Sequence, residues 1–498
     1  MTRAKQLMLN TFSSIIYQIL LLICGFILPR MYLSCYGSAI NGLINSITNF
    51  LGFITLAECG VGAVVESALY KPLADSDKDA ISRIFVSSER FFRKISFLLI
   101  VYVSILIIIY PYFIGDRFER LYTASLIFII SISSFVQYMF GVSYTLLLNA
   151  DQRGYIVQTI NICALLINTI LCIILMKLGL GIHMVRLISS LVFVLKPFVL
   201  GEYVRKRYAL NRKLRLIEEP IKQKWNGFAQ HIASVVLNKT DIVVLTMFST
   251  LENVSIYGVY HMVVQGLMDL VQAATSGLQA LLGNQLARKE YDALENTFSL
   301  MEWIIHMGTT FIFTVAGILI VPFINVYTQG ITDANYIVPM FAVLITLAQG
   351  VRCLRLPYNT MVLAAGHYKQ TQNSAFFEAI VNLVASIISV SKYGLVGVAI
   401  GTLIAMLYRT CYLAWYLSRN IIKRKLYLFV IHCIVDVLNM IMIILCTKSF
   451  FLRTVGYFEW FILALKVGTI GLIITLLINY FFYRQHFKCL LKKIHRKV

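Results

Sequence analysis

The chain has 498 residues, 59% of them hydrophobic and only 13% charged, with a mean hydropathy of +0.78. Soluble domains carry about 25% charged residues, so this composition excludes a soluble globular protein and defines a polytopic membrane protein. The net charge of +21 does not mark a nucleic-acid binder, because Lys and Arg fall mainly in alternate loops, as the positive-inside rule requires.

The N-terminal stretch MTRAKQLMLNTF sets positive residues before an apolar run, as a secretory leader would. That run continues to Pro29-Arg30 without a small-residue cleavage site, so it reads as a first transmembrane helix. Crossing a bilayer takes ~20 residues at 1.5 Å rise per residue. Apolar runs of that order fall at 9–33, 41–69, 95–114, 121–148, 155–176 and 181–203, and then at 228–248, 255–285, 298–327, 337–365, 371–391, 395–417, 428–447 and 458–483. The expected fold is an all-α polytopic membrane protein of about fourteen helices. Residues 1–208 form an N-terminal six-helix lobe, 209–226 a basic linker, and 227–420 a C-terminal six-helix lobe; 421–498 supply two extra helices and a basic tail.

The linker contains Arg212 to Trp225, RKLRLIEEPIKQKW, the longest polar interval in the chain. Loops on the side of the N-terminus hold about 30 of the Lys and Arg residues, against about 6 on the other side, which puts both termini in the cytoplasm. The far loops are short and nearly neutral. Residues 79–94, DAISRIFVSSERFFRK, have apolar positions at helical spacing. They fit either an amphipathic helix on the inner membrane surface or an extension of the third span.

The two sides of the linker echo one another. Tyr36-Gly37 matches Tyr257-Gly258, Pro111 matches Pro322, and Lys177-Leu178-Gly179-Leu180 matches Lys392-Tyr393-Gly394-Leu395. The offset stays at about 211 to 221 residues, which unrelated apolar helices would not maintain. An even number of spans per half makes the repeats parallel, related by an axis normal to the membrane, an arrangement suited to alternating access.

Ionisable side chains within spans are expensive, about 2.5–3.5 kcal/mol each on insertion scales, so each is a functional candidate. Arg352 and Arg355 are three residues apart, share a helical face and can fork around one anionic group, with Pro357 opening the helix beyond them. With Lys239 from another span, the pair suits a pyrophosphate in a water-filled cavity; Arg30 is a fourth candidate. The competing reading pairs these cations with Glu378, Asp269 or Glu58 across helices. Glu58, in LAECGVGAVVES, either binds a coupling cation or orients an arginine; Asp241, Asp269 and Glu378 are carboxylates of the same kind. His183, His231, His261, His306 and His432 show no ligand spacing and read as packing or interfacial residues. The ten cysteines are scattered through apolar runs without a C-x-x-C pair, so neither a metal site nor a disulfide framework is expected. No G-x-x-x-x-G-K-[ST] loop is present and no large outer loop carries a catalytic constellation, so no catalytic residues are assigned and the protein is not expected to be an enzyme.

The stretch YGSAINGLINSITNFLGFITLAECGVGAVVESALYKPLADSDKD, with E-x-G-x-G followed by L-Y-K-P-L-A, resembles the second span and first cytoplasmic loop of Wzx-type polysaccharide flippases. These belong to the multidrug/oligosaccharidyl-lipid/polysaccharide exporter superfamily. LNKTDIVVLTMFSTLENVSIYGVY is similar to that family's seventh and eighth spans, although Lys239 precedes the family-like Thr-Asp. The resemblance implies a flippase that moves an undecaprenyl-pyrophosphate-linked oligosaccharide repeat unit across a bacterial cytoplasmic membrane for capsule or O-antigen synthesis. It implies coupling to an H+ or Na+ gradient, no bound cofactor, and a polysaccharide polymerase machinery as partner. A drug or organic-cation antiporter of the same fold would need a carboxylate-dominated cavity instead. A membrane glycan polymerase or ligase would need a catalytic outer loop.

Overall fold

The computed structural model describes residues 3–58, 60–212, 228–275, 278–450 and 456–487. Most of the basic linker, 213–226, lies outside the described residues. In chain order the helices are α1 (Arg3–Gly52), α2 (Val61–Asp75), α3 (Lys78–Ile114), α4 (Arg120–Val136), α5 (Val142–Ala150), α6 (Gly154–Lys177), α7 (Ile182–Arg207) and α8 (Phe228–Phe248). They continue as α9 (Leu251–Thr275), α10 (Leu278–Ala287), α11 (Tyr291–Tyr327), α12 (Pro339–Leu354), α13 (Leu356–Ala364), α14 (Tyr368–Tyr393), α15 (Leu395–Asn420), α16 (Tyr427–Thr447) and α17 (Tyr457–Phe482). No β-strand occurs among the described residues, and thirteen helical segments there are long and apolar enough to cross a membrane. The chain is a multi-pass, all-α membrane protein.

The polarity of the helices is inverted relative to a soluble bundle, as lipid requires. On α17, Thr475 and Asn479 are buried while Leu465, Leu472 and Leu477 face outward. Asn439 of α16 donates to the Thr475 hydroxyl at 3.1 Å, and Trp303 of α11 donates to Asn479 at 3.0 Å. Polar side chains hold the helices together from within, and the apolar surface is left for lipid.

Two expected spans, 9–33 and 41–69, share one long helix. α1 bends at Gly37, where φ is +81°, a conformation that favours glycine. The second of these spans is itself interrupted, because α1 ends at Gly52 and a 3-10 turn, Phe53–Glu58, leads to α2. The matching Gly258 stays helical inside α9, so this part of the repeat has diverged in backbone. The hairpin glycines do correspond: Gly179 and Gly394 both take positive φ, at +74° and +53°, at the turns α6–α7 and α14–α15. Residues 79–94 do not lie apart as a surface helix; they are the first turns of the continuous α3, with Ile84, Phe85 and Phe92 buried. The span expected at 121–148 contains a π-helical turn, Gln137–Gly141, between α4 and α5.

The chain divides into two compact units, Met1–Ser255 and Ile256–Val498. The boundary falls after α8 rather than within the linker, because α8 packs along α1. Asn41 donates to Ser255 at 2.8 Å, Ser46 and Thr246 share a hydrogen bond of 2.7 Å, and a Cβ on Gly42 would overlap the Leu251 carbonyl. The core of the first unit joins α1 to α7 around Leu43, Ile47, Phe85, Tyr110 and Leu147. In the second unit α10, α11, α13 and α15 enclose Phe298, Met361, Leu413 and Leu417.

The α14–α15 hairpin depends on Gly397 and Gly401, four residues apart on the face that meets α14. A Cβ on Gly397 would run into the Ser389 carbonyl, and one on Gly401 would lie 2.7 Å from the Ser386 backbone nitrogen. Backbone cannot yield as a side-chain tip can. Gly397→Ala is therefore expected to cost about 1–3 kcal/mol, read as a lower thermal transition of the purified protein in detergent.

Candidate functional site

The second unit sets two guanidinium groups against one carboxylate, with a third guanidinium within electrostatic reach. α12 ends at Leu354 because Pro357 lacks the N–H that would continue the hydrogen-bond ladder, and α13 starts afresh at Leu356. Arg352 and Arg355 lie on either side of this end. Arg355 Nη1 donates to Glu378 Oε1 of α14, and Arg409 Nε of α15 stands 3.7 Å from Glu378 Oε2. The side chains are enclosed, with exposures of 13% for Arg355 and 6% for both Glu378 and Arg409. Arg409 is fixed further by donating to the Thr371 carbonyl at 3.0 Å and to the Ser374 hydroxyl.

Arg352 is within electrostatic reach of Arg355, Glu378 and Tyr257, and among the described residues it has no carboxylate at ion-pair distance. Three arginines against Glu378 leave the cluster at +2. An unbalanced charge in such enclosed surroundings is costly. Arginine suits phosphate oxygens because its planar donors bind two at once and it stays charged.

The remaining sequence candidates are distributed as follows. Asp269 sits exposed on α9 and accepts from Gln265 of the same helix at 2.9 Å. Arg30, Glu58, Lys239 and Asp241 belong to the first unit. Among the described residues Glu58 meets no arginine; the Tyr138 hydroxyl, from the π-helical turn, donates to it. Lys239 is partly buried, its Nζ 3.0 Å from where a Cβ on Gly52 would lie. That places the ammonium against the carbonyl end of α1, which favours a cation. Arg30 is partly buried beside Pro29, and Asp241 is buried on α8. On the same unit the Arg186 guanidinium lies over the Tyr32 ring at 4.6 Å.

Two features escaped the sequence reading. The first is Arg409, which stands against Glu378 from a separate helix and which no spacing in the chain links to it. The second is a buried network on α11, α13 and α16. Glu302 is 1% exposed and accepts from Arg424 Nη2 at 2.6 Å and from the Tyr358 hydroxyl at 2.7 Å. His306 Nε2 lies 3.0 Å from the Tyr358 hydroxyl and His306 Nδ1 lies 2.6 Å from Asp436 Oδ2, while Thr310 donates to Asp436 Oδ1 at 2.7 Å. His432 Nε2 stands 3.4 Å from Glu302 Oε2, with its Nδ1 2.8 Å from the Tyr483 hydroxyl. His306 and His432 are thus hydrogen-bonded network members, not apolar packing. The signal was present as Glu302-x-x-x-His306-x-x-x-Thr310 and His432-x-x-x-Asp436, polar side chains one turn apart inside apolar spans.

An apolar groove of about 700 Å³ in the second unit is lined by Phe313, Gly317, Pro322, Val343, Leu347 and Met440.

Together the helices define a multi-pass membrane protein that carries a net-positive side-chain cluster inside its second unit. No family model and no curated protein matches the chain. Solved structures do. A structure described as lipid II flippase MurJ in an inward closed conformation aligns with a TM-score of 0.73 at 17% identity, over 96% of this chain and 99% of that one. An inward-facing multidrug resistance MATE family transporter of the MOP superfamily aligns with a TM-score of 0.63 at 15% identity, over 82% of this chain and 96% of its own. A MOP superfamily transporter from Pyrococcus furiosus, whose description reports a binding pocket of reversed polarity, gives a TM-score of 0.54 at 13% identity, over 84% and 95%. The fold is that of MOP-superfamily transporters and flippases.

Proposed function

We propose that the protein is a flippase of the Wzx type. It carries a polyprenyl-pyrophosphate-linked oligosaccharide repeat unit from the inner to the outer leaflet of a bacterial cytoplasmic membrane, by alternating access, for surface polysaccharide synthesis. The observation that carries this reading is the +2 charge of the Arg352, Arg355, Arg409 and Glu378 cluster. A pyrophosphate supplies the missing negative charge and two sets of oxygens for the forked donors. The apolar groove in the same unit suits an isoprenoid chain in lipid. The L-Y-K-P-L-A stretch and the similarity in fold to a lipid II flippase support the same reading.

The similarity in fold to multidrug transporters raises a second reading, an organic-cation antiporter. The sign of the cluster opposes it, because a site at +2 repels a cation. Purified protein in liposomes distinguishes the two. Transbilayer movement of a fluorescent undecaprenyl-pyrophosphate glycan, followed by quenching from outside, is expected, with no uptake of a fluorescent organic cation. Cation uptake without glycan movement would overturn the proposal.

A further inference from the structure

The network around Glu302 holds two carboxylates, one guanidinium and two imidazoles, and its hydrogen-bond directions fix where the protons lie. An ionised Asp436 can only accept, so His306 Nδ1 carries a hydrogen. Tyr358 has one hydroxyl hydrogen and two neighbours. Glu302, held ionised by Arg424, takes that hydrogen, so His306 Nε2 must itself donate to the Tyr358 oxygen. Both ring nitrogens of His306 are then protonated. Glu302 and Asp436 at −1 each, with Arg424 and His306 at +1 each, close the network at zero, which a low-dielectric interior favours. His432 adjoins this network, its Nε2 3.4 Å from Glu302 Oε2 and its Nδ1 2.8 Å from the Tyr483 hydroxyl.

We propose that His306 is a proton-binding site whose occupancy sets the direction of the Tyr358 hydroxyl. When the proton leaves, His306 Nε2 becomes an acceptor and Tyr358 turns its hydrogen to it, releasing Glu302. Atoms and charge balance: one proton departs from the imidazolium and the network becomes −1. Tyr358 lies three residues beyond Arg355, at the start of α13, where the helix is already broken before Pro357. Loss of the proton therefore loosens the hold of α11 on the segment beside Arg352 and Arg355. The other titratable group facing His306 is His432 of α16, its ring centre 4.9 Å away; Cys433 of α16 feels both carboxylates, and His486 lies beside Trp303 and Tyr483. That this proton is the ion coupled to cargo movement rests on the flippase reading; the proton site itself does not.

The test uses the full chain, 15N-labelled at histidine, in phosphatidylglycerol liposomes, with His306→Gln assigning the resonance. At about pH 7 the His306 ring should be doubly protonated, both ring nitrogens carrying hydrogen. Asp436→Asn should lower the doubly protonated population about ten-fold or more, and Tyr358→Phe, which keeps the buried ion pairs, should lower it several-fold if the first variant fails to fold. A singly protonated ring in the unaltered protein, or populations unchanged in both variants, overturns the site. In a parallel arm an imposed pH gradient should accelerate movement of the labelled pyrophosphate glycan, and His306→Gln should abolish the acceleration; retained acceleration overturns the coupling. If the ring behaves as expected while inorganic pyrophosphate fails to bind, the proton site stands and the cargo assignment falls.

Discussion

Arg352→Ala combined with Arg355→Ala is expected to reduce glycan translocation about 100-fold or more while the protein accumulates in the membrane at its usual level. Both halves of this outcome follow from the charge count. Glu378 keeps Arg409 when Arg355 is removed, so no buried carboxylate is stranded. Arg352 has no ion-pair partner among the described residues, and its loss removes a buried positive charge rather than breaking a pair. Hydrogen bonds to charged groups contribute about 1.5–3 kcal/mol each, so losing two forks on a pyrophosphate forfeits about 3–6 kcal/mol. At about 1.4 kcal/mol per factor of ten, that is two orders of magnitude or more. A quantitative immunoblot of membranes beside the quenching assay separates transport loss from loss of protein.

Glu378→Ala is expected to act on the opposite property. It leaves Arg352, Arg355 and Arg409 enclosed with no carboxylate, and breaking a buried pair from one side costs about 3–5 kcal/mol. Against a total stability of about 5–15 kcal/mol, that is enough to deplete the folded protein. The expected results are a sharp fall in membrane yield and in the thermal transition of what survives. Adding Arg355→Ala to Glu378→Ala restores the original excess of +2 and should recover most of the yield. Full yield in the single variant would show that these cations are neutralised in some other way.

Much of the architecture was legible because a bilayer imposes a length rule. An uninterrupted apolar run of about 20 residues has few other stable structures, so the existence of each helix followed from composition. The interruptions were less visible. The α12–α13 break was signalled by Pro357, but the π-helical turn at Gln137–Gly141 carries no proline, and the end of α1 at Gly52 lies inside an apolar stretch. Those breaks arise where side chains such as Tyr138 and Glu58 bond across helices, a tertiary effect that local pattern does not carry. The same distinction governs the site. Spacing alone placed Arg352 and Arg355 together and Glu378 was one of three carboxylates offered as their partner, whereas Arg409 joins from α15 only once the hairpin at Gly394 is closed. Glu58 reads in the sequence as a coupling-cation site or an arginine-orienting carboxylate, and among the described residues it meets a tyrosine, because several residue types satisfy a carboxylate and the chain does not say which helix will face it.

Affinity for a pyrophosphate-bearing polyprenol, titrated into the full chain in nanodiscs, tests most directly whether the +2 cluster awaits a phosphorylated cargo. The unaltered protein should bind it at least about ten-fold more tightly than the monophosphate, and the preference should vanish when Arg352 and Arg355 are both alanine, since each tenfold step is about 1.4 kcal/mol. Equal affinity for the two lipids, or a preference that survives the double substitution, would contradict the account.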